Sequence, residues 1–333
     1  MINQCARAAG RGNILIYVLW MILVLSLFAA STASQAGFGL SLTDRLLSRL
    51  QASYLVHGAL AYARLALADD PTPKVDGWQE AWSNDEGAFR NHAIGDGLFS
   101  VMSESPDGRG TRYGLADEER RIDLNAASAE VLTRLFKLAG GLPTEEAARV
   151  AASVLDWRDA DDREEPDGAE SPHYRSLSPP YDCKNAPLES PEELLLVRGV
   201  TPELYRRVEP YVTVYGAGPV NLNTAGPMVL RALGLSPEGA AGVLTFRAGD
   251  DGVPGTADDR FLASVGVLNE MDLYVPVDDL GVLTRLVADD AVGVRSQAFR
   301  MTIEAQVSHR ASRVTARAVM RRDGTLAMWS EDE

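Results

Sequence analysis

The stretch IDLNAASAEVLTRL, residues 122–135, recurs later in the chain as VNLNTAGPMVLRAL, residues 220–233. The two copies share six identical residues in 14 aligned positions. In each copy an Asn and small residues precede apolar residues spaced three and four apart, the pattern of an amphipathic helix. Each is followed by Gly-Leu, a Pro and an Ala-rich segment. The repeat therefore predicts two helical hairpins in the middle of the chain.

A third helical hairpin is predicted in SPEELLLVRGVTPELYRRVEPYVTV, residues 190–214. Ser190 is a favourable N-cap, Pro191 occupies the first helical position, and Gly199 lies at the bend. Together the three hairpins predict that residues 122–292 form one α-helical region.

The residues on both sides of this helical region show β patterns. Apolar and polar residues alternate over 299–307 and 314–320, and Arg-Asp-Gly precedes a short last strand. Before the helical region, Ser-Pro-Asp-Gly-Arg-Gly is a turn signal that predicts a hairpin of 98–104 with 112–115. We therefore expect a sheet domain of residues 69–121 and 293–333, interrupted by an inserted domain of residues 122–292.

The N-terminus contains RGNILIYVLWMILVLSLFAASTASQAG, residues 11–37. Its apolar block from Ile14 to Ala30 reaches about 25 Å as a helix, nearly the thickness of a bilayer core. The basic residues before it place the leading end in the cytoplasm. An amphipathic pattern follows as far as Pro71, so residues 13–68 are predicted to form one long transmembrane and amphipathic helix.

The N-terminal segment has three interpretations. Small residues at 30–36 suit cleavage by signal peptidase, although the apolar block is longer than a usual signal core. A simple uncleaved anchor is the second possibility. The third is suggested by Arg11-Gly12 directly before the apolar block: it resembles a prepilin-type signal, a leader of residues 1–12 cut between Gly12 and Asn13. Counted from that junction, Tyr17 occupies the fifth position, where such proteins usually carry glutamate.

The net charge is −15, from 47 acidic and 32 basic residues. Such a chain repels phosphate backbones and anionic headgroups, and divalent cations are its more natural partners. Paired helical hairpins are also typical of DNA-binding helix-hairpin-helix modules. The apolar bends and the acidic loops after each unit disfavour nucleic acid as a partner here.

The acids are concentrated in loops, above all in DWRDADDREEPDGAESPHY, residues 156–174. Clustered carboxylates on a turn-rich loop suit Ca²⁺, which takes six to eight oxygen ligands. Arg163 and Glu164 rule out an EF-hand, and a solvated acidic loop is the alternative. A second loop, GDDGVPGTADDR at 249–260, offers another possible metal site or an ordinary exposed loop, with the candidate ligands Asp250, Asp251, Asp258 and Asp259.

Catalytic motifs are lacking in this sequence. The four histidines are scattered, and no HExxH, GxSxG or phosphate-binding glycine loop is present. Cys183 has no evident base nearby in the sequence. We therefore do not expect an enzyme.

The prepilin-like head, the paired Asn-x-Ala units, the loop DWRDADDREEPDGAE and the stretch SPEELLLVRGVTPELYRRVEPYVTVYG together resemble the minor pseudopilin K family of type II secretion. The resemblance implies an α+β fold: a long N-terminal helix and a pilin-like antiparallel sheet, interrupted by a large α-helical insertion with helix-hairpin-helix-like repeats. It also implies a calcium site in the insertion. The expected ligands are Asp159, Asp161, Glu164, Asp167 and Glu170.

The same resemblance implies a role and partners. The protein would form the tip of the pseudopilus, initiate assembly and support export across the outer membrane. It would be processed and N-terminally methylated, with one inner-membrane span and its bulk in the periplasm of a Gram-negative bacterium. Expected partners are minor pseudopilins of the I, J and H types, the major pseudopilin, the prepilin peptidase and the inner-membrane platform. The alternative is a membrane-anchored DNA-binding protein of competence type.

Overall fold

The computed structural model describes residues 12–105, 110–216, 218–254, 256, 258–307 and 313–332, with side chains from residue 14 and without those of 36–42. Its helices are α1 Gly12–Ala68, α2 Glu86–Phe89, α3 Ala129–Leu138, α4 Thr144–Arg158, α5 Ser171–Arg175, α6 Pro202–Val208, α7 Pro227–Leu233, α8 Pro237–Arg247 and α9 Val277–Ala288. Its strands are β1 His92–Ile94, β2 Gly97–Glu104, β3 Thr111–Tyr113, β4 Ala116–Asp117, β5 Ile122–Asp123, β6 Val212–Thr213, β7 Val220–Asn221, β8 Val292–Gly293, β9 Ala298–Val307, β10 Arg313–Arg321 and β11 Leu326–Glu331. Short 3-10 helices span Pro191–Leu196, Glu209–Tyr211 and Val265–Met271.

Helix α1 is one continuous element of 57 residues, about 85 Å long at ~1.5 Å per residue. Its second half packs on the sheet through a buried stripe that includes Ala52, Val56, Ala59 and Ala63, each fully buried. Three small alanines in this stripe let the helix backbone approach the sheet closely. From Ile14 to Gln35 the helix makes no such contact and is exposed.

The sheet is antiparallel, in the order β1-β2-β9-β10-β11, with β3 beside β2 and β4 beside β9. The predicted hairpin is present, since Glu104 pairs with Thr111 and Met102 with Tyr113. The strands predicted at 299–307 and 314–320 are present as β9 and β10. Alternation along β9 buries Phe299, Met301 and Ile303 against α1 and exposes the opposite face to the inserted region.

Between β4 and β9 the chain leaves the sheet and forms a second core of its own. Helices α3 with α4 and α7 with α8 are the two hairpins expected from the repeat, and their bends use Gly141 (φ 74°) and Gly234 (φ 117°). The third hairpin consists of the 3-10 helix from Pro191 and helix α6, with Gly199 at its bend (φ 83°). Two parallel strand pairs that were not predicted, β5 with β6 and β7 with β8, hold the ends of these units. The domain boundaries remain a prediction.

The inserted region is joined to the sheet by buried polar side chains. The Asn221 Nδ2 atom lies 2.9 Å from Asp117 Oδ2, 3.0 Å from Ser296 Oγ and 3.1 Å from the Asp76 carbonyl. Asp76, Asp117 and Asn221 are fully buried. Arg322 forms ion pairs with both Asp76 and Asp70. Because Asp76, Asp117, Asn221 and Ser296 are buried, this junction fixes the position of the β7 strand against the sheet.

A buried ion pair forms a second junction. Arg300 on β9 binds Glu118 in bidentate fashion, with Nε–Oε2 at 2.9 Å and Nη2–Oε1 at 2.7 Å. Thr213 on β6 also donates its hydroxyl to Glu118 at 2.8 Å. Although burial alone would raise the pKa of Glu118, Arg300 and Arg121 lower it to about 2. The carboxylate therefore stays charged and connects sheet and insertion.

Candidate functional site

The acidic loop at 156–174 lies between two helix ends that turn its carboxylates inward. Asp156 is in the last turn of α4, Asp159 is the C-cap of the same helix, and Glu170 is the N-cap residue of α5. Asp156 and Asp159 are three residues apart and therefore share one face of the chain. Arg158 points away from the loop, to the carbonyls of Leu124 and Ala127.

Three of these side chains converge. Asp159, Asp161 and Glu170 each offer an oxygen within 4.8 Å of the others. Glu170 is 2% exposed, Asp159 is half-buried and Asp161 is exposed. The cluster is therefore open to solvent on the side of Asp161 and closed on the side of Glu170.

Several buried oxygens at this cluster have no hydrogen-bond donor. They are Asp156 Oδ2, Asp159 Oδ1, both carboxylate oxygens of Glu170 and Asn185 Oδ1. Leaving a buried acceptor unsatisfied costs about 1–3 kcal/mol, and more when it is charged. Five such oxygen atoms around one loop are the type of ligand that a hard cation prefers.

Hydrogen bonds hold the loop in this shape. Asn185 donates from Nδ2 to the Asp161 carbonyl at 2.8 Å and to Asp162 Oδ1 at 2.9 Å. The Glu165 amide donates to Asp156 Oδ1 at 3.0 Å, which leaves Oδ2 as the free oxygen of that carboxylate. Gly168 comes so close that a Cβ there would lie 2.0 Å from Asp156 Oδ2. A side chain at Gly168 would therefore displace the carboxylate.

The carboxylates of the cluster destabilise one another. Burial raises the pKa of Asp156, Asp159 and Glu170, and neighbouring acids raise it further. Asp159 adds to the shift at Asp156, and Asp156 adds to the shift at Glu170. A bound divalent cation would offset this repulsion and reverse the direction of each shift.

The structure brings together three of the five predicted ligands, Asp159, Asp161 and Glu170. The other two, Glu164 and Asp167, are exposed and lie outside the converging set; Asp167 has a left-handed backbone (φ 65°). Sequence reasoning missed Asp156 and Asn185. The spacing Asp156-x-x-Asp159 pointed to the first, whereas Asn185 is 24 residues beyond Asp161 and carried no local signal.

The second acidic loop is organised by its own hydrogen bonds. Asp258 accepts from the amides of Asp250 and Asp251 at 2.7 and 3.0 Å and from the Thr256 hydroxyl at 2.7 Å. These bonds lower the pKa of Asp258 to about 2. Asp250 is paired with Arg260 at 2.5 Å. Asp259 lies in the same loop, and within the described part of this loop no three acidic side chains converge on one point. A cation at this loop remains a prediction.

The N-terminal segment has one candidate membrane span, Ile14–Gln35, of 22 residues with mean hydropathy 2.5. None of it is buried against the rest of the protein. Tyr17 is 72% exposed near its start. Helix α1 begins at Gly12, the leader before it lies outside the described residues, and the side chain of Asn13 does as well.

The histidines and Cys183 make packing contacts away from the acidic cluster or beside it. His57 stacks on Trp329, His92 packs against Tyr62 and Phe99, and His173 contacts Tyr174. Burial raises the pKa of the Cys183 thiol to about 12, so it stays protonated near neutral pH. Packing therefore accounts for the positions of these side chains.

Comparison with known proteins gives one family. The family model described as type II secretion system protein K matches residues 113–217. The chain is 29% identical to the type II secretion system protein K of Klebsiella pneumoniae over 224 residues, which is 65% of this chain and 67% of that protein. It is 28% identical to the protein of the same name from Pseudomonas aeruginosa over 244 residues, 68% of this chain and 69% of that protein.

Among solved structures, the fold is similar to a chain of the GspK–GspI–GspJ complex from the type II secretion system of enterotoxigenic Escherichia coli. The TM-score is 0.61 at 17% identity, and the match covers 90% of this chain and 99% of that one. The mixed architecture of an apolar N-terminal helix, further helices and an antiparallel sheet is thereby confirmed. The competence-type DNA-binding alternative finds no support in these matches.

Proposed function

The chain belongs to the type II secretion system protein K family and is a minor pseudopilin, and we propose that it caps the pseudopilus at its tip. In this proposal α1 anchors the protein in the inner membrane through Ile14–Gln35, and the sheet and insertion lie in the periplasm. The relatives carry the names of secretion components, which fits a role in assembly rather than catalysis.

The observation that carries the proposal is an uncovered apolar face on α1 beyond the membrane span. Leu46, Leu47, Leu50 and Tyr54 are 60, 50, 53 and 69% exposed, while the opposite face of the same helix is buried on the sheet. Such a stripe on a helix that already has its sheet partner suits packing against the helices of other subunits. By this stripe α1 would join the shaft of the pseudopilus.

Two features support a terminal position. If the mature chain begins at Asn13, Tyr17 stands where other pilins carry the glutamate that binds the amino terminus of a neighbouring subunit, so this chain lacks one acceptor for further growth. The insertion between β4 and β9 adds a second core beside the sheet and would block stacking of another subunit above it. We also propose that its two repeated units pack as helix-hairpin-helix-like modules. In this chain the modules would have a structural role.

The proposed partners are minor pseudopilins similar to GspI and GspJ, by analogy with the complex of similar fold. The test is co-purification of the full chain from detergent-solubilised membranes together with the I- and J-type pseudopilins of the same system. We expect Leu50→Glu to disrupt the complex, because it places a charge in the apolar stripe. Leu273→Glu is the matched control, since Leu273 is 94% exposed on the inserted region. Retention of both partners by Leu50→Glu would refute the packing role of this face.

For the acidic loop we propose a structural Ca²⁺ site. Its ligands would be Asp156, Asp159, Asp161 and Glu170, with the Asn185 side-chain carbonyl as the neutral ligand. The support is the set of buried oxygens without donors, together with their mutual pKa shifts. Ca²⁺ would join the end of α4, the start of α5 and the segment at Asn185, in addition to the hydrogen bonds that already hold the loop.

Calcium binding is tested with Tb³⁺, which replaces Ca²⁺ and luminesces when a nearby aromatic side chain is excited. Trp157 follows Asp156 directly and packs edge-on against Tyr174 with centroids 5.1 Å apart, so it is the expected sensitiser. We expect luminescence that Ca²⁺ displaces and Mg²⁺ does not, because Mg²⁺ requires smaller, regular octahedral coordination. Absence of sensitised luminescence in the purified full chain would leave the loop a solvated one.

A further inference from the structure

A cavity of about 620 Å³ lies between the outer face of the sheet and the inserted region. Its floor is one row across four strands, because Met102 pairs with Thr302, Thr302 with Arg317, and Arg317 with Ser330. Its opposite wall comes from the inserted region, including Pro191, Glu209 and Tyr215. We call this space the sheet–insertion cavity.

Two consecutive arginines, Arg120 and Arg121, line the sheet–insertion cavity at the point where the chain passes from sheet to insertion. Arg121 is only 6% exposed, and its Nε and Nη1 atoms have no hydrogen-bond acceptor. Its ion-pair partner, Glu118, is 3.6 Å from Nη1, beyond a good hydrogen bond. Glu118 is already engaged by Arg300 and Thr213 and cannot turn towards Arg121.

The Arg120 side chain is also largely buried, and its ion pair is also long. Its side chain is 13% exposed, and its ion pair is with Glu104 at 3.6 Å, a residue that is itself 74% exposed. The guanidinium lies over the ring of Trp78 at 5.6 Å, which holds its position without using its N–H groups. Burial lowers the pKa of both arginines, and the charge of Arg121 lowers the pKa of Arg120 further. Two consecutive guanidinium groups thus line one cavity, and Arg121 has two nitrogen atoms without an acceptor among the described residues.

An anion would satisfy these donors, and the remaining walls restrict which anion fits. Glu104, Glu192 and Glu209 also line the cavity and would repel a ligand of high negative charge such as phosphate. The apolar surfaces of Met102, Met328 and Pro210 favour contact with uncharged groups. The volume is in the range of sites that enclose a ligand of many atoms, far larger than a single small anion needs.

We propose that the sheet–insertion cavity binds a peptide through one carboxylate, held by Arg120 and Arg121. Arginine binds a carboxylate by two parallel hydrogen bonds, so the C-terminal carboxylate of a peptide suits the two guanidinium groups that line this cavity. The apolar and acidic walls contact the rest of the peptide. This site is separate from the calcium loop and from the apolar stripe of α1, and it does not depend on either.

The test uses the full chain in detergent and a pool of N-acetylated randomised tetrapeptides. One pool has a free C-terminal carboxylate and the other is the same pool with a C-terminal amide; bound peptides are quantified by equilibrium dialysis and mass spectrometry. We expect the carboxylate pool to contain peptides that bind at least about tenfold more tightly than their amides, since a charge-assisted hydrogen bond is worth ~1.5–3 kcal/mol. Arg121→Gln and Arg120→Gln should each lower that affinity by about tenfold or more.

Arg313→Gln is the matched control, because it removes the same charge from the sheet outside the cavity. It should leave peptide binding unchanged. If Arg121→Gln does not fold, Arg120→Gln decides, since the carboxylate paired with Arg120, that of Glu104, is exposed. Equal binding of acid and amide pools, or retained binding in Arg120→Gln, would overturn the proposal. Displacement of the peptides by succinate or phosphate at similar concentrations would identify a small-anion site and overturn the assignment to a peptide.

Discussion

Arg158 and Arg247 make the same contacts in the two repeated units. Arg158 ends α4 and donates to the carbonyls of Leu124 and Ala127, while Arg247 ends α8 and donates to those of Leu222 and Ala225. Leu124 aligns with Leu222, and Ala127 with Ala225, in the repeat. Each arginine therefore ties the end of its second helix to the turn before its first helix.

This equivalence predicts similar losses of stability from the two arginines. Replacing either with Met should lower the free energy of unfolding by about 1–3 kcal/mol, because two backbone carbonyls lose their donor inside the protein. Burial lowers the pKa of Arg247 to about 10, a sign that its surroundings exclude water. Denaturant unfolding of the full chain in detergent measures the effect, with exposed Arg285→Met as control. A change no larger than that of the control would contradict the role.

Asn125 and Asn223 form the second matched pair. Asn125 exchanges two hydrogen bonds with the Leu188 backbone at 2.8 and 3.0 Å, and Asn223 does so with Leu262 at 2.8 and 3.1 Å. Asp at either position would place a carboxylate oxygen against the backbone carbonyl to which the Asn side chain now donates. We expect Asn223→Asp to destabilise more than Asn125→Asp, because Asn223 is 3% exposed and Asn125 is half-buried. Thermal melting compares the two, and the reverse order would contradict the argument from burial.

The residues of these pairs were only partly predictable from the sequence. Six identities in 14 positions predicted two similar helical hairpins, because apolar spacing and capping are local properties. The partners Leu188 and Leu262 were out of reach, since each lies dozens of residues away and bonds through its backbone. The short parallel pairs β5 with β6 and β7 with β8 were missed for the same reason, as two residues carry no alternation.

The acidic loop shows the same limit. Composition and turns predicted a cation site at 156–174, and Asp159, Asp161 and Glu170 do converge. Sequence could not separate inward from outward carboxylates, because the left-handed turn at Asp167 and the close approach of Gly168 to Asp156 decide that. Asp156 begins this acidic loop but was not among the expected ligands; the structure places it in the last turn of α4.

Substitutions in the acidic loop should separate ligands from bystanders. Asp159→Asn and Glu170→Gln should each remove the rise in melting temperature that Ca²⁺ produces, whereas Glu164→Gln and Asp167→Asn should retain it. All four remove one charge from the same loop, so a general effect of charge would move them together. Loss of the calcium effect in the Glu164 and Asp167 variants would contradict the proposed ligand set.

Isothermal titration of the wild type should give one Ca²⁺ per chain, and a second ion would support a metal site in the loop at Asp250 and Asp258.

The ion pair of Glu118 with Arg300 predicts a specific acid sensitivity. The folded pKa of Glu118 is about 2 and its ordinary value is 4.5, so its contribution to stability is complete above pH 4.5 and is lost as pH falls towards 2. Glu118→Gln lacks that titration. The stability difference between wild type and Glu118→Gln should therefore shrink steadily from about pH 5 to pH 2. A difference that is constant over this range would show that the carboxylate charge is not what stabilises the junction.

The fate of the N-terminus follows from the prepilin-like junction. We expect the mass of the protein purified from membranes to lack residues 1–12, so that the mature chain begins at Asn13 and retains the span Ile14–Gln35. Gly12→Arg should block this processing, since a prepilin-type signal is cut after glycine. Ala33→Arg lies among the small residues where signal peptidase would cut. This variant should still lose residues 1–12, so its mature mass should differ from wild type only by the substitution. A mature chain that begins after residues 33–36 would lack Tyr17 and the membrane span, and the proposed membrane anchor would then fail.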